Sequence, residues 1–490
     1  MSEQTGLSRE QLEQIEASEL VNLVLRLESR VQELEEIVLK QAAALQALQD
    51  QIAKDSRNSS KPPSSDGLQK RRTQSLRKSQ GRKPGGQAGH EGQTLRMVDE
   101  PDHIELHGVG RCPHCQSDLS EVESLAHGHR QVFDIPAVRI EVTEHRVEVK
   151  TCPHCQQEVK AVYPPDVRQR VQYGPRLKAQ ASYLNNYQLL PMARTCELFG
   201  DFYGHVPSTA FVIEANQAVR EGSQSTLDTI QEQLRTADLV HFDESGLRVQ
   251  SQTQWLHSAS TDALTYYAVH PKRGRDAMNE IGILPRFSGR AVHDHWKSYT
   301  TYTDCTHIFC NAHHLRELQF MIDQYQQAWA TQMYKLLLEI KAEVEHAPAT
   351  DNALPQDRLD YFEQCYDSIL QDGFDVNPPP ETPPPKTRGR PKQSPPKNLL
   401  DRLATHKAGT LAFMYDFSIP FDNNLAERDI RMIKVKQKIS GAFRTNNGAQ
   451  TFCDLRSYIS TARKQGHNVI KALFGALSGS PFTPASTSML

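Results

Sequence analysis

The segment LVHFDESGLRV, residues 239–249, restricts this chain more than any other. Its pattern is that of a largely buried β-strand, yet Asp243 and Glu244 stand in the middle of it. A carboxylate there is costly unless it is paired or binds a cation. Two further strand-like runs follow, TQWLHSAS and LTYYAVH, then a short helix around Asp276–Leu284 and a fourth strand, GRAVHDH, that carries Asp294.

Three strands, a helix and a fourth strand, with acids on the first and fourth, is the order of a ribonuclease-H-like fold. In that fold the two acid-bearing strands lie side by side. A helix beginning near Asn423, in DNNLAERDIRMIKVK, then offers Glu427. Any single acid among the 59 carries little weight. Three placed on the required elements point to phosphoryl transfer with two divalent ions, Mg²⁺ or Mn²⁺, because hard cations take oxygen ligands. Around Glu427 the helix also carries Arg428, Arg431, Lys434, Lys436 and Lys438. That density exceeds what pairing with Glu427 and Asp429 needs. It reads as a phosphate-facing surface, with Arg428, Arg431 and Lys434 as candidate DNA contacts.

Nine cysteines include Cys112, Cys115, Cys152 and Cys155, two C-P-H-C knuckles separated by 36 residues. Four thiolates at this spacing suit a closed, structural, tetrahedral Zn²⁺ site. The alternating sequence between them (RQVFDIPAVRIEVTEHRVEVK) predicts strands and a zinc ribbon over 103–163. His114 and His154 lie inside the knuckles as alternative ligands. Cys310 with His313 is a further Cys-x-x-His spacing; with no second pair nearby, polar residues at a helix start is the plainer reading of His313 and His314.

Upstream, Val24, Val31, Val38, Leu45 and Ile52 recur every seven residues, with Leu20, Leu27, Leu34 and Leu48 as the second series and Gln41 the one break. This predicts a coiled coil over 18–53, with the Val/Leu pattern of a parallel two-stranded form. An amphipathic helix packed on its own domain is the alternative. Residues 54–98 read as a flexible linker; within 54–96 stand 11 Lys or Arg against 3 Asp or Glu, a local basicity hidden by a whole-chain net charge of -3. Residues 168–222 predict three helices, with Ser208 as N-cap of the third, either a helix-turn-helix-like DNA-binding module or a plain bundle. The catalytic domain spans 236–445, with a helical insertion at about 312–397, since 132 residues separate Asp294 from Glu427. A C-terminal helical segment, 446–478, closes the chain. The Pro-rich stretch 377–397 cannot form a helix, and RGRPK at 388–392 has the core of a minor-groove AT-hook or is simply loop.

The chain resembles the transposases of the bacterial insertion sequence 66 group. The resemblance runs from about residue 20 to 478 and rests on NSSKPPSSDG at 58–67, the paired C-x-x-C module, HFDESGLRV, HDHWKSY, CNAHHLREL at 310–318, DNNLAERDIR and GAFRTNNGA. It implies a DDE-type transposase whose acids map onto Asp243, Asp294 and Glu427. Such an enzyme cleaves DNA at the terminal inverted repeats of its element and joins the ends to target DNA. Its partners would be those DNAs, a second copy held through the coiled coil, and accessory proteins of the same element. A zinc-containing coiled-coil regulator with an inactive ribonuclease-H-like core is the alternative; a nuclease that cuts without joining is another. No apolar run reaches membrane length, and the polar, acidic start is not a signal peptide, so the expected location is the bacterial cytoplasm, at the nucleoid.

Overall fold

The computed structural model describes residues 16–55, 57–59, 94–379 and 393–485. Most of the basic linker, and the 388–392 segment, lie outside the described residues. Contacts divide the chain into two units: residues up to 74 with 175–190 and 214 onward, and residues 75–174 with 191–213.

The first element, α1 (Ala17–Ala53), is one unbroken helix. Its heptad residues are exposed along the whole length, from Val24 at 49% to Val31 at 51% and Ile52 at 84%. Among the described residues its C-terminal end is tied to its own unit: Tyr325 donates to Asp50 at 2.6 Å, and Lys54, just past the helix, lies over the Phe320 ring.

In the second unit, β1 (Val149–Thr151) and β2 (Glu158–Lys160) form a hairpin around the second cysteine knuckle. The strands expected over 131–148 do not form; that segment is irregular, with Gln131 bonded to the Val98 backbone at 2.6 and 2.7 Å and the Glu148 carbonyl accepting the Ala161 amide beside the hairpin. Its alternating apolar side chains (Val132, Ile135, Val138, Val142) are exposed, so no buried face fixes a register.

The helices predicted from residue 173 are α2 (Pro175–Ser182) with a π-turn at Tyr183–Tyr187, α3 (Met192–Tyr203) and α4 (Thr209–Gly222). Ser208 Oγ accepts the Phe211 amide at 3.3 Å, as an N-cap should. These helices do not form one body: 191–213 group with the second unit, while α2 and the rest of α4 belong to the first. There, Asn186 and Asn216 bond at 2.7 Å and Lys178 meets Glu214 at 2.7 Å.

After α5 (Gln224–Arg235) comes a five-stranded sheet of β3 (Leu239–Val249), β4 (Gln252–Ser260), β5 (Thr265–His270), β6 (Arg290–His293) and β7 (Thr306–Phe309). The strand order is β5-β4-β3-β6-β7. The first three are antiparallel; β6 returns through α6 (Arg275–Ile281) to lie parallel beside β3, and β7 lies parallel to β6. A Cβ on Gly289 would stand 2.5 Å from the Ala237 carbonyl oxygen, so only glycine lets the chain enter β6 this close to β3.

Helices α7 (Asn311–Tyr325), α8 (Ala328–His346), α9 (Gln356–Val376), α10 (Pro395–Thr405) and α11 (Lys407–Tyr415) share one apolar core around Trp329, Phe362 and Tyr366. The helical body therefore runs past the expected limit at 397, because Leu399, Leu400, Leu403, Leu411 and Met414 belong to that core. Finally α12 (Asn424–Ser440), α13 (Asn446–Lys464) and α14 (Val469–Leu477) follow. Helices α13 and α14 pack Leu455, Tyr458 and Leu473 with Val240 and Phe242 of the central strand.

Candidate active site

Alternation along β3 sends Asp243 and Glu244 to opposite faces. On the Asp243 side, His241 Nδ1 meets Asn423 Oδ1 at 2.7 Å, and Asn423 Nδ2 donates to the Phe242 carbonyl at 2.8 Å. Asn423 is the N-cap of α12, and only 2% exposed. It spends its side chain on the central strand rather than on its own helix, and so staples the start of α12 beside Asp243. Glu427, in the first turn, is carried there with it. Lys434 repeats the tie seven residues on, donating to the Gly246 carbonyl at 2.6 Å.

Asp294 follows directly on β6, which neighbours β3, and its Oδ1 accepts the Trp296 amide at 2.9 Å. The electrostatics show that the three acids share one locality. Burial pushes the Asp243 carboxyl well above the carboxylate range, and the charges of Glu244, Asp294 and Glu427 push it further. Burial also raises Asp294, against the Trp296 amide. Neighbouring carboxylates that disfavour one another's charge are an arrangement that a cation could relieve. All three offer only oxygen, the donor set for Mg²⁺ or Mn²⁺. Their oxygens are not drawn within 4.8 Å of one another; among the described residues that closeness is reached by Cys310, His313 and Glu427.

On the opposite face Glu244 is buried, with its side chain 1% exposed. Arg273 donates to it from Nε at 2.8 Å and from Nη2 at 2.5 Å, and the Tyr299 hydroxyl donates to its other oxygen. Burial, with the charge of Asp294, lifts the Glu244 carboxyl to about 7 although Arg273 opposes this. The guanidinium is held between rings, 4.9 Å from Trp255 and 4.1 Å from Trp296. Thus one arginine braces the strand carrying Asp243 and the turn carrying Asp294.

The basic residues of α12 divide. Arg428 and Arg431 are exposed and form no ion pair among the described residues. Lys434 does not join them on an outer surface, because at seven residues from Glu427 it shares the strand-facing side. Lys436 lies over Phe443 and Phe452, at 4.5 and 5.2 Å. Asp429 takes its cation from α13, with Lys464 at 2.8 Å.

Sequence reasoning did not single out Asn423, His241, Arg273 or Trp296. Asn423 had a signal, as a residue that favours N-caps directly before the Glu427 helix. Arg273 had none, since its partners are 29 and 23 positions away. His314 is fully buried, at 2.8 Å from Asn311 Oδ1 and against His295, while His313 lies beside Glu427.

In the second unit the two knuckles repeat one turn. The Cys112 amide bonds the Ser117 carbonyl at 2.9 Å and the Gln116 amide bonds Cys112 at 2.9 Å; Cys152, Gln156 and Gln157 do the same at 2.8 and 2.9 Å. Gln116 and Gln156 both take positive φ, 62° and 55°. Hydrogen bonding from Ser117 lowers the Cys115 thiol to about 7, and the amides of Cys155 and His154 lower Cys152. Cys115 and Cys152, one in each pair, are thus biased toward the thiolate that binds metal. The four sulfurs are not gathered into one cluster within 4.8 Å.

Residues 170–451, more than half the chain, match the family model described as transposase IS66 family. Residues 110–156 match the zinc-finger binding domain of transposase IS66, and residues 8–96 match a family of unknown function, DUF6444. No curated protein matches the chain. No described helix is long and apolar enough to cross a membrane.

Proposed function

Since the chain belongs to the transposase IS66 family, we propose that it is a DDE-type DNA strand-transfer enzyme whose acids are Asp243, Asp294 and Glu427. The observation that carries this is the assembly around β3. Two acids sit at adjacent parallel strands, and a third is brought to them by a helix stapled through Asn423. The strand order agrees with a ribonuclease-H-like core interrupted between its fifth strand and the last acid.

Asp243, Asp294 and Glu427 would hold a pair of Mg²⁺ or Mn²⁺ ions. Such ions supply a polarised attacking oxygen and charge stabilisation at the leaving oxygen. The protein's own part is placement. Asn423 and Lys434 fix α12 against β3, and Arg273 holds the Glu244 side of the same strand. Arg428 and Arg431 would meet backbone phosphates next to the acids. Water hydrolyses a phosphodiester at the element's end and frees a 3′-hydroxyl. That hydroxyl then attacks a target phosphorus, forming a new P–O bond as the target's own P–O3′ bond breaks and its oxygen departs as a 3′-hydroxyl. No protein nucleophile is needed. Zn²⁺ on Cys112, Cys115, Cys152 and Cys155 would order the second unit. A second copy would cover the exposed seam of α1, so that two ends are held together.

The test is end cleavage and joining in Mg²⁺ or Mn²⁺ with DNA carrying the element's ends, comparing wild type with Glu427→Gln. The variant is expected to bind those ends and to lose activity on the order of 10³-fold or more. Equal cutting by both proteins removes Glu427 from the site. Binding without any cutting by wild type favours a DNA-binding regulator.

A further inference from the structure

Cys310, His313 and Glu427 bring a sulfur, a nitrogen and a carboxylate oxygen within 4.8 Å of one another. Cys310 is the N-cap of α7 and His313 lies three residues on, so both project from one side of the helix start. Glu427 faces them from the first turn of α12. His313 Nδ1 is buried and has no hydrogen-bond partner among the described residues. Leaving a buried nitrogen unsatisfied is costly, so a ligand for it is favoured. Cys310 Sγ already accepts the Asn423 amide at 3.2 Å, the kind of outer contact that supports a metal-bound sulfur.

The donor chemistry separates this set from the all-oxygen site. One thiol, one imidazole and one carboxylate select a borderline-soft cation over Mg²⁺. Tetrahedral zinc geometry places such donors roughly 3.5 Å apart, a small closure from what is seen. A fourth position stays open to water.

We propose that Cys310, His313 and Glu427 form a site for a thiophilic divalent cation of the zinc class, and that an ion there withdraws Glu427 from Asp243 and Asp294. The binding half stands on the geometry alone; the inhibitory half rests on the reading of Glu427 as a catalytic acid. Arg316, 3.6 Å from Glu427, is the competitor that the ion must displace.

The experiment titrates Co²⁺ into the full chain with its cysteine knuckles already loaded with Zn²⁺. One further equivalent is expected, with tetrahedral visible absorption and a sulfur-to-cobalt charge-transfer band. Cys310→Ser and His313→Gln should each abolish the band. His313, half-buried, serves if the Cys310 variant does not fold. No band in wild type, or an unchanged band in the folded variants, overturns the site. In Mg²⁺-driven cleavage, added Zn²⁺ should then inhibit wild type about tenfold or more, and the variants far less, each against its own Mg²⁺ rate. Equal inhibition of all three overturns the inhibitory half. Asp243→Asn separates the two readings, because it should keep the cobalt band while losing cleavage.

Discussion

The acid-bearing sheet and the cysteine-bearing module would, under the proposed function, both hold ligands for a metal, and they place those ligands in opposite ways. Around Asp243 the protein does the holding: a buried asparagine staple, a ring-clamped arginine and apolar cores built on Phe242 and Leu256. Around Cys112 and Cys152 there is a hairpin of two three-residue strands, two repeated turns and a run of exposed apolar side chains. The comparison teaches that order can precede the ion or follow from it. In the sheet the cost is stored as mutual repulsion of carboxylates. In the module it is stored as absent burial, which leaves the ion to supply the folding free energy.

The largest effect should come from removing zinc. Structural zinc contributes on the order of 10 kcal/mol in small domains. A strong chelator should therefore expose residues 103–163 to proteases and hydrogen exchange, while 239–477 keep their protection. Loss of protection in both regions, or in neither, would break the contrast.

Acid should do the reverse and strike the sheet first. Burial holds His257 on β4 at about 4 and His293 on β6 at about 3, against an ordinary value near 6.5. Their unfolded forms bind protons that the folded chain refuses. Stability is therefore complete above about pH 6.5 and falls as pH drops from there toward the folded values. Between pH 6.5 and 5 the loss is about 2 kcal/mol for one such imidazole. Urea midpoints followed by a probe in the sheet should fall accordingly. An unchanged midpoint at pH 5 would mean the imidazoles are not held neutral.

A smaller change tests the staple. Asn423→Ala leaves His241 and the Phe242 carbonyl without partners, at a cost of about 2–3 kcal/mol, and should lower cleavage with it. Asn424→Ala, at an exposed neighbour, should cost less than about 0.5 kcal/mol. Similar losses from both would show that the cap matters only as a helix start.

The smallest expected effect has the opposite sign. Asp243→Asn removes one of the repelling charges, so the metal-free protein should gain roughly 1 kcal/mol in thermal unfolding while cleavage is lost. A destabilised variant would mean that the acid is satisfied by the protein itself.

What the sequence made legible follows from range. The strand at 239–249, the fourth strand and the helix carrying Glu427 were readable because period and N-cap chemistry are local. So was the Ser208 cap. The strands expected across 131–148 were not realised, because alternation promises a strand only when a second layer takes the apolar face. Lys434 was placed with Arg428 and Arg431 by charge, although its helical position already put it on the strand side. The limit at 397 erred because the leucines of α10 and α11 complete a core begun by α8 and α9. Arg273 was invisible, since its sandwich joins Trp255 and Trp296 across the fold.

The bond between His241 and Asn423 spans 182 positions of chain. The five strands themselves are synthesised long before its far end, although Leu455, Tyr458 and Leu473, which pack on β3, come later still. A growing polypeptide can therefore pair β3 with β6 and bring Asp243 beside Asp294, yet still lack the third acid until the helical body between them has been made. The order of residues along the chain thus acts as a timer, and under the proposed function Glu427 would complete the set of acids late in translation.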